Sequence, residues 1–461
     1  MYKAKPLSFF FLLTFFSCFV FAQPGDFIIS GPMHGQVELR TAKIWVEVKP
    51  AAPVELWYWK KGDIKNARKV DDAGAKGTDK SNQYGFRPVV FDVTGLDINT
   101  TYEYQLTGSA KNSRPTKAHG EFTTKDLWQW RKPAPDFSFL AGSCSYFNEP
   151  VYDRPGKPYG GDSSIFETMA REKAAFMLWL GDNWYTRDVD YLSAWGLWYR
   201  ASRDRSFGVL QNFLKSMSHY AIWDDHDFGP NDMGKEYVLK EESRKVFMNY
   251  WANPSYGEYG KGVYSKISYG DVDLFLLDDR TFRSNDNLQD SIDGNPNPIK
   301  KMFGSQQMEW LKNALSGSFA TFKIIATGSQ VLNPVSPFDC FRKFPVEYNE
   351  LMGFLEAEKI SGVLFLTGDR HHSEIIKTES HLSYPLYDIT SSPLTSGTHK
   401  FGAAEKNNPY RVVGVDEKQN YARITVTGKY RERNLKVEFI GIKGEKLAEW
   451  SVSEKDLKVK E

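Results

Sequence analysis

Four apolar segments of the sequence end in side chains that commonly bind metal ions. They comprise residues 137–144, 176–185, 220–227 and 363–372, and the third is followed closely by Asn231. Apolar segments of this kind predict buried strands, and ligands of open α/β sheets gather beyond the carboxyl ends of the strands. One such end alone is compatible with a turn, a core cysteine or a structural histidine. Four in succession favour a single metal centre.

The ligand types at these strand ends narrow the chemistry. Asp182, Asp225 and Asp369 are carboxylates and His371 is an imidazole, a set that suits hard or borderline cations. A glycine before Asp182 and before Asp369 allows the backbone to turn sharply near an ion. A carboxylate shared between two ions is the usual way to hold metals about 3.5–4 Å apart, and such pairs hydrolyse phosphate esters.

The overall composition excludes several classes of protein. With 59 Lys and Arg against 58 Asp and Glu, the net charge of +1 argues against nucleic-acid binding through the overall field. A chain with 41% hydrophobic and 15% aromatic residues is not disordered, and three cysteines are too few for a disulfide scaffold. The length of 461 residues predicts two domains, or one large domain with an appendage.

Residues 1–22 are predicted to be a Sec-type secretory signal peptide, cleaved before Gln23. Lys3 and Lys5 precede the uncharged residues 7–22, which end in small side chains, and no Arg-Arg pair is present. The alternative is an N-terminal membrane anchor, but sixteen residues are short for the roughly twenty that span a bilayer. No later segment is long and apolar enough to span. A secreted or periplasmic protein without a membrane anchor is therefore expected.

The mature chain is predicted to contain two domains. Residues 23–127 alternate apolar and polar side chains in short runs broken by glycine, which predicts an all-β sandwich with Tyr102 as a tyrosine corner. Residues 128–135 resemble a linker, and residues 136–461 predict an α/β domain. Its predicted strands are 137–141, 175–180, 220–223, 272–277, 322–326 and 362–367, and its predicted helices are 164–173, 207–217, 235–251, 305–315 and 346–359.

Three motifs resemble the alkaline phosphatase D (PhoD-like) family of metallophosphoesterases. They are Gly-Asp-x-x-Tyr at 181–185, Trp-Asp-Asp-His-Asp at 223–227 with Asn231, and Gly-Asp-Arg-His-His at 368–372. Ser143-Cys144 and the segments 277–280 and 307–311 are also similar to that family. The resemblance implies a fibronectin- or Ig-like sandwich followed by a four-layer α/β/β/α metallophosphatase domain. It also implies Fe³⁺ with one or two Ca²⁺ ions, and hydrolysis of phosphate mono- and/or diesters by a metal-bound hydroxide.

The same resemblance implies a role for each residue of the site. Cys144 and Tyr185 would bind iron, Asp182 would bridge the ions, and Asp369 and His371 would complete their shells. Asp225 and Asn231 would be further ligands. His226 would face the phosphate, either protonating the leaving oxygen or hydrogen-bonding the phosphoryl group. Arg370 would either steady a phosphoryl oxygen or form a salt bridge with Asp279 or another carboxylate.

Other interpretations remain open at this level. A dedicated phosphodiesterase, of the phospholipase or teichoic-acid type, would share the same motifs, and a non-catalytic surface-binding protein is the alternative outside enzymes. Substrate choice is expected to depend on the loops 147–161 and 285–302. Cys340 lies in a loop predicted near the strand ends, where a disulfide with Cys144 is the structural alternative. Because only a thiolate binds metal, both cysteines are expected to be unpaired.

Overall fold

The structure is a computed structural model that describes residues 27–50, 53–71, 84–108, 116–379 and 382–460. The expected signal peptide, residues 1–22, lies outside the described residues. Within those ranges, no helix is long and apolar enough to cross a membrane.

The described ranges contain seven α-helices and twenty-two strands. The helices are α1 (Ile165–Met169), α2 (Ala194–Arg205), α3 (Gly208–Ser216), α4 (Asp225–Phe228), α5 (Lys240–Tyr250), α6 (Gly304–Ser316) and α7 (Pro345–Ala357). The strands are β1 (Ile28–Val37), β2 (Thr41–Val48), β3 (Val54–Lys60), β4 (Arg68–Asp71), β5 (Pro88–Thr94), β6 (Thr101–Gly108), β7 (Thr116–Thr123), β8 (Phe137–Gly142), β9 (Phe176–Leu180), β10 (Ser218–Ile222), β11 (Ser265–Tyr269), β12 (Val272–Leu276), β13 (Ser291–Ile292), β14 (Asn295–Pro296), β15 (Phe322–Thr327), β16 (Val363–Thr367), β17 (Ser373–Thr378), β18 (Leu386–Thr390), β19 (Arg411–Val415), β20 (Asn420–Thr427), β21 (Asn434–Gly441) and β22 (Lys446–Ser453).

The N-terminal region is a β-sandwich, as its alternating pattern predicts. Strands β1, β2 and β5 form one face, and β4, β3, β6 and β7 form the other. Alternate residues of both faces meet in one apolar core, where Ile44 and Val46 lie with Leu56 and Leu106. The hydroxyl of Tyr102 accepts a hydrogen bond of 2.9 Å from the backbone N–H of Asp97, the geometry of the predicted tyrosine corner.

The α/β domain has four layers, built on two sheets packed face to face. One sheet has the order β22-β21-β20-β8-β9-β10-β1-β2-β5, and the other β11-β12-β15-β16-β18-β17-β19. Strand β9 shows that both faces of the first sheet are covered. Its Leu178 and Leu180 join the core between the sheets, whereas Met177 and Trp179 join a second core with α1, α2, α3 and α5. Helices α6 and α7 pack against the outer face of the second sheet. The predicted α/β/β/α architecture is confirmed.

The sandwich is connected to the α/β domain through a shared sheet. Strand β1 lies parallel to β10, with His34 opposite Ser218. Trp45 of β2 is buried in the core formed by the helices. The guanidinium of Arg205 lies 5.3 Å from the Trp45 ring and 3.9 Å from the Trp251 ring. These contacts make one face of the sandwich part of the packing that supports the second domain.

A buried polar group reinforces the same interface. Glu47 of β2 accepts hydrogen bonds of 2.7 Å from the Ser202 hydroxyl and 2.9 Å from the Tyr250 hydroxyl. Burial raises the pKa of Glu47 to about 7, although these two hydrogen bonds and nearby Arg205 oppose the shift. Ser202 lies in α2, and Tyr250 is the last residue of α5, so both hydroxyls belong to helices of the α/β domain. The sandwich is therefore oriented by specific hydrogen bonds as well as by packing.

The structure differs from the sequence prediction at two helices. The third predicted strand ends at Ile222, and Asp225 and His226 lie in the short helix α4, because Asp224 and Asp227 form a capping box. Helix α2 was not predicted. Its buried face mixes Leu197, Trp198 and Ala201 with Arg200 and Asp204, so charged residues interrupt the apolar spacing that identifies a helix.

Replacing Trp45 tests the shared packing. We expect Trp45→Ala to destabilise the protein by about 3–5 kcal/mol, because it removes a fully buried aromatic ring from the interface core. Trp57→Ala is the matched control, since Trp57 lies half-buried on β3 in the other sheet and should cost much less. Denaturant unfolding followed by circular dichroism measures both. Equal, small losses in the two variants would contradict this packing.

Candidate metal centre

The predicted ligands come from strand ends of both sheets. Cys144 follows β8 and Asp182 follows β9, two neighbouring parallel strands of the first sheet. Asp369 follows β16 in the second sheet. The Cys144 Sγ lies 3.6 Å from Asp182 Oδ2 and 3.6 Å from the backbone oxygen of Asp369. The face-to-face packing of the sheets therefore brings the carboxyl ends of non-neighbouring strands to one point.

Two groups of donor atoms share one carboxylate. Ligand atoms of Cys144, Asp182 and His371 lie within 4.8 Å of one another, and so do those of Asp182, Asp225 and His226. Asp182 belongs to both groups, which is the arrangement that a bridging carboxylate requires. The structure thus brings together five of the predicted site residues, and Asp182 is the one common to both groups.

Tyr185 lies beside both groups. Its hydroxyl is 3.0 Å from Nε2 of His371, and its ring centroid is 4.1 Å from that of His226. Tyr185 is 3% exposed and Cys144 is 0% exposed. These two side chains therefore form the inner wall of the site, away from solvent.

Seven of the predicted site residues line a cavity of about 670 Å³. They are Asp182, Asp225, His226, Asn231, Asp369, Arg370 and His371. Asn231 is exposed, and the backbone N–H of its neighbour Asp232 donates a 2.8 Å hydrogen bond to Asp225 Oδ2. These residues therefore border the cavity through which solvent and a substrate would reach the site.

The backbone at the site is strained. Four non-glycine residues adopt left-handed conformations: Cys144 (φ 63°), Asp182 (φ 51°), Asp369 (φ 66°) and His371 (φ 55°). Such conformations cost on the order of 1–3 kcal/mol each, and they cluster at functional sites. Gly181 has φ +88°, and a Cβ there would lie 2.5 Å from the Cβ of Asp224. The sharp turn before Asp182 thus requires glycine.

The site concentrates acidic groups in a buried space. Burial raises the pKa of the Cys144 thiol to about 12, and the charge of Asp369 adds to the shift. Burial also raises the pKa of Asp369 to about 7, although Arg370 opposes it. For Asp182, burial and then the charge of Asp225 raise the pKa well above its usual range. Burial opposes ionisation of Asp225 too, but His226 and Arg280 outweigh it and lower its pKa.

The donor set fits metal ions. Asp225 Oδ1 and His226 Nδ1 are buried and have no hydrogen-bond partner among the described residues, although buried polar atoms are normally paired. A thiolate and a phenolate suit a trivalent ion, whereas carboxylate and amide oxygens suit Ca²⁺. A bound cation reverses the pKa shifts of its ligands, because it stabilises their charged forms. The residues present therefore fit bound metal ions.

Arg370 forms an ion pair at the cavity wall. Its Nη2 lies 2.9 Å from each carboxylate oxygen of Glu405, and its Nη1 donates a 2.9 Å hydrogen bond to the Ser336 hydroxyl. Asp279, the partner considered from the sequence, instead accepts hydrogen bonds from the Thr327 hydroxyl and from a backbone N–H. A salt bridge of Arg370 is thus present with a different carboxylate, while its side chain still lines the cavity.

Sequence reasoning missed several residues that contact the proposed ligands. The Ser392 hydroxyl donates a 3.1 Å hydrogen bond to Cys144 Sγ. The Tyr159 hydroxyl is 2.9 Å from His371 Nδ1, and the ring of His399 stacks on His371 at 4.7 Å. None of the three lies in a segment rich in metal-binding side chains, so no local sequence pattern identifies them. Tyr159 lies in the loop 147–161 that was expected to affect substrate choice.

Cys340 is not bonded to Cys144. Both cysteines are free and buried, which confirms the unpaired state expected from the sequence. The Cys340 Sγ lies 3.6 Å from the backbone oxygen of Val331 and 3.5 Å from that of Asn333. Cys340 is therefore a packed thiol that leaves Cys144 available as a ligand.

A family model described as PhoD-like phosphatase matches residues 199–437, more than half of the chain. The chain belongs to the PhoD-like phosphatase family. The matched region contains the motif at 223–227 and the motif at 368–372. The sandwich and the first two ligand motifs lie before it.

Individual proteins show the same similarity over more of this PhoD-like chain. Alkaline phosphatase D of Bacillus subtilis (strain 168) is 24% identical over 439 residues, which cover 82% of this chain and 70% of that protein. A structure described as that of PhoD superposes with a TM-score of 0.70 at 17% identity, covering 93% of this chain and 89% of the other. A purple acid phosphatase from yellow lupin (Lupinus luteus) seeds gives a TM-score of 0.66 at 12% identity, covering 92% and 74%. The two structures show that the fold is shared.

The two cysteines provide a matched test of the inner wall. We expect Cys144→Ser to lose bound metal and phosphatase activity together, because serine does not supply an anionic donor near neutral pH. Cys340→Ser, a change at an equally buried free thiol, should keep both. Elemental analysis of the purified variants measures the metal. Wild-type metal content in Cys144→Ser, or a Cys144–Cys340 crosslink in active protein, would contradict the assignment.

Proposed function

We propose that this PhoD-like phosphatase is an exported, metal-dependent phosphoesterase that hydrolyses phosphate mono- and/or diesters. The observation that carries the proposal is the position of Asp182, whose carboxylate belongs to two donor groups at the wall of an open cavity. A shared carboxylate of this kind is typical of two-metal hydrolysis of phosphate esters.

The proposed metals are Fe³⁺ and one or two Ca²⁺ ions. Cys144 and Tyr185 would hold iron on the buried side, together with His371, while Asp182 bridges. Asp225 and Asn231 lie toward the cavity and would hold calcium, and Asp369 would complete the set. Bound ions of this kind supply a hydroxide nucleophile at neutral pH and neutralise charge on the phosphoryl oxygens.

Two further residues are placed to act on the substrate. His226 lines the cavity, so its ring borders the space that a phosphate group or its leaving oxygen would occupy. Arg370 is fixed by Glu405 at the same wall. We propose that His226 protonates the leaving oxygen or hydrogen-bonds the phosphoryl group, and that Arg370 steadies a phosphoryl oxygen.

Export is proposed from the N-terminal sequence. Residues 1–22 have the charged start, apolar middle and small-residue end of a Sec-type signal. Ligands must be deprotonated to bind metal, and a preformed site rarely exists in an unfolded chain. A chain exported unfolded would therefore acquire its ions outside the cytoplasm. N-terminal sequencing of the mature protein should begin at Gln23.

The activity is tested with a pair of matched esters. We expect the metal-loaded protein to hydrolyse nitrophenyl phosphate, bis-(nitrophenyl) phosphate or both, because the cavity is open to substrate. A chelator should abolish the activity, and adding iron and calcium should restore it. Hydrolysis of the diester alone would identify a dedicated phosphodiesterase. Metal-loaded protein that cleaves neither ester would favour the non-catalytic surface-binding protein.

Colour tests the iron assignment. If Tyr185 and Cys144 bind Fe³⁺, the purified protein should absorb visible light through ligand-to-metal charge transfer, and Tyr185→Phe should shift or bleach the band. Tyr146→Phe is the control, because its ring lies 5.0 Å from that of Tyr185 while its hydroxyl donates to Asp153. A colourless, fully active protein that contains only zinc would refute the iron assignment and leave the phosphoesterase proposal intact.

Leaving groups of different basicity separate the two roles of His226. If His226 donates a proton, His226→Ala should lose about 10²–10⁴-fold in rate on alkyl phosphates but little on nitrophenyl phosphate, whose leaving group departs unprotonated. If it only hydrogen-bonds the phosphoryl group, both substrates should lose about 10²–10³-fold. Metal content should stay near wild type in both cases. Loss of metal in His226→Ala would show that His226 is itself a ligand.

A further inference from the structure

Tyr159 lies between the cavity and the proposed ligand His371. It is 39% exposed at the cavity wall, and its hydroxyl is 2.9 Å from Nδ1 of His371. The other ring nitrogen of His371, Nε2, is 3.0 Å from the hydroxyl of Tyr185, a second proposed ligand. Each ring nitrogen of His371 thus lies close to the hydroxyl of a different tyrosine. Tyr159 is at the cavity wall, whereas Tyr185 is buried.

The loop that carries Tyr159 is closed by specific hydrogen bonds. The Asn148 amide donates to the backbone oxygen of Gly160 and accepts from its N–H, both at 2.9 Å. The N–H of Gly161 donates to the backbone oxygen of Thr395 at 2.7 Å. A Cβ at Gly397 would lie 3.1 Å from the Tyr159 ring, so glycine there admits the ring. The backbone directly after Tyr159 is thus held in place by hydrogen bonds, and its ring packs beside Gly397.

The surroundings of His371 determine which nitrogen should carry the proton. Nε2 faces the buried donors, so it is the nitrogen available to a metal and must be unprotonated there. Nδ1 then bears the hydrogen and needs an acceptor. The Tyr159 oxygen is the nearest side-chain acceptor, since the Ser396 hydroxyl is 3.4 Å away. The His371 ring also forms a hydrogen bond with the backbone of Gly397. A hydrogen bond from the second nitrogen is how proteins orient metal-binding histidines.

We propose that Tyr159 is a positioning residue for the metal centre, whose oxygen accepts the Nδ1–H of His371 and thereby keeps Nε2 directed at the metal. The proposal rests on the proposed function, because it takes His371 to be a ligand. Removing the partner of a metal-binding histidine typically weakens metal affinity about 10–100-fold. Tyr159→Phe deletes the oxygen and keeps the ring, so it tests the hydrogen bond with little change in packing.

The test compares metal affinity in variants of the full-length mature protein. Iron-loaded protein is titrated with a chelator of known affinity, and the iron retained is measured by elemental analysis. We expect Tyr159→Phe to bind iron about 10–100-fold more weakly than wild type. The metal-free variant should unfold at the wild-type temperature, which shows that the effect is on the ligand and not on the fold.

Two control variants make the result specific. Tyr146→Phe removes the hydroxyl that anchors the same loop through Asp153, without touching His371, and should bind iron like wild type. Ser396→Ala removes the more distant hydroxyl and should have a smaller effect than Tyr159→Phe. Wild-type affinity in Tyr159→Phe overturns the proposal, as does an equal loss in Tyr146→Phe or a larger loss in Ser396→Ala. Wild-type protein that binds no metal would overturn the proposed function as well.

Discussion

The Cys144 thiol lies 3.6 Å from a carboxylate oxygen of Asp182 and 3.6 Å from the backbone oxygen of Asp369. Burial and the charges of neighbouring acidic groups raise the pKa of the side chains of all three residues. Such groups are stable in their charged forms only if positive charge is supplied locally. The face-to-face sheets, the strained turns and the surrounding ion pairs all serve to hold this group of donors together. The fold thus holds acidic groups together where a bound cation would stabilise their charged forms.

The strained turns persist because the structure beneath them is rigid. Trp184 lies in the motif at 181–185 and stacks on Trp251. The Arg205 guanidinium lies over the same Trp251 ring. Arg205 also lies near Trp45 of the sandwich. Strained conformations survive where the surrounding packing determines them. The sandwich therefore contributes to the metal centre from a distance, by completing the core on which the second strand end rests.

The sequence identifies side chains that the strand ends bring together at the site, but it does not identify the residues that support them. Asp182, Asp369 and His371 follow continuous apolar strands, and the parallel packing of strands brings such ends together wherever they lie in the chain. Tyr159 belongs to an irregular loop whose path depends on contacts such as that between Asn148 and Gly160, which are 12 positions apart. Helix α2 is missed for a related reason, because charged side chains interrupt the apolar pattern of its buried face. The periodicity of apolar residues indicates which side chains are buried among apolar neighbours. It does not indicate which polar side chains are buried together.

The side chains that would orient a phosphate ester in the cavity are distinct from the groups that would neutralise its charge. Arg370 is fully paired with Glu405, so the pair adds little net positive charge to the wall, although remaining N–H groups of the guanidinium face the same region. A phosphate ester therefore cannot obtain its main charge compensation from Arg370. In the proposed function, that compensation would come from the ions held by Asp182 and its neighbours, while Arg370 and His226 would supply directed hydrogen bonds. Hydrolysis would then depend on metal loading first, and on the cavity side chains for the geometry of attack.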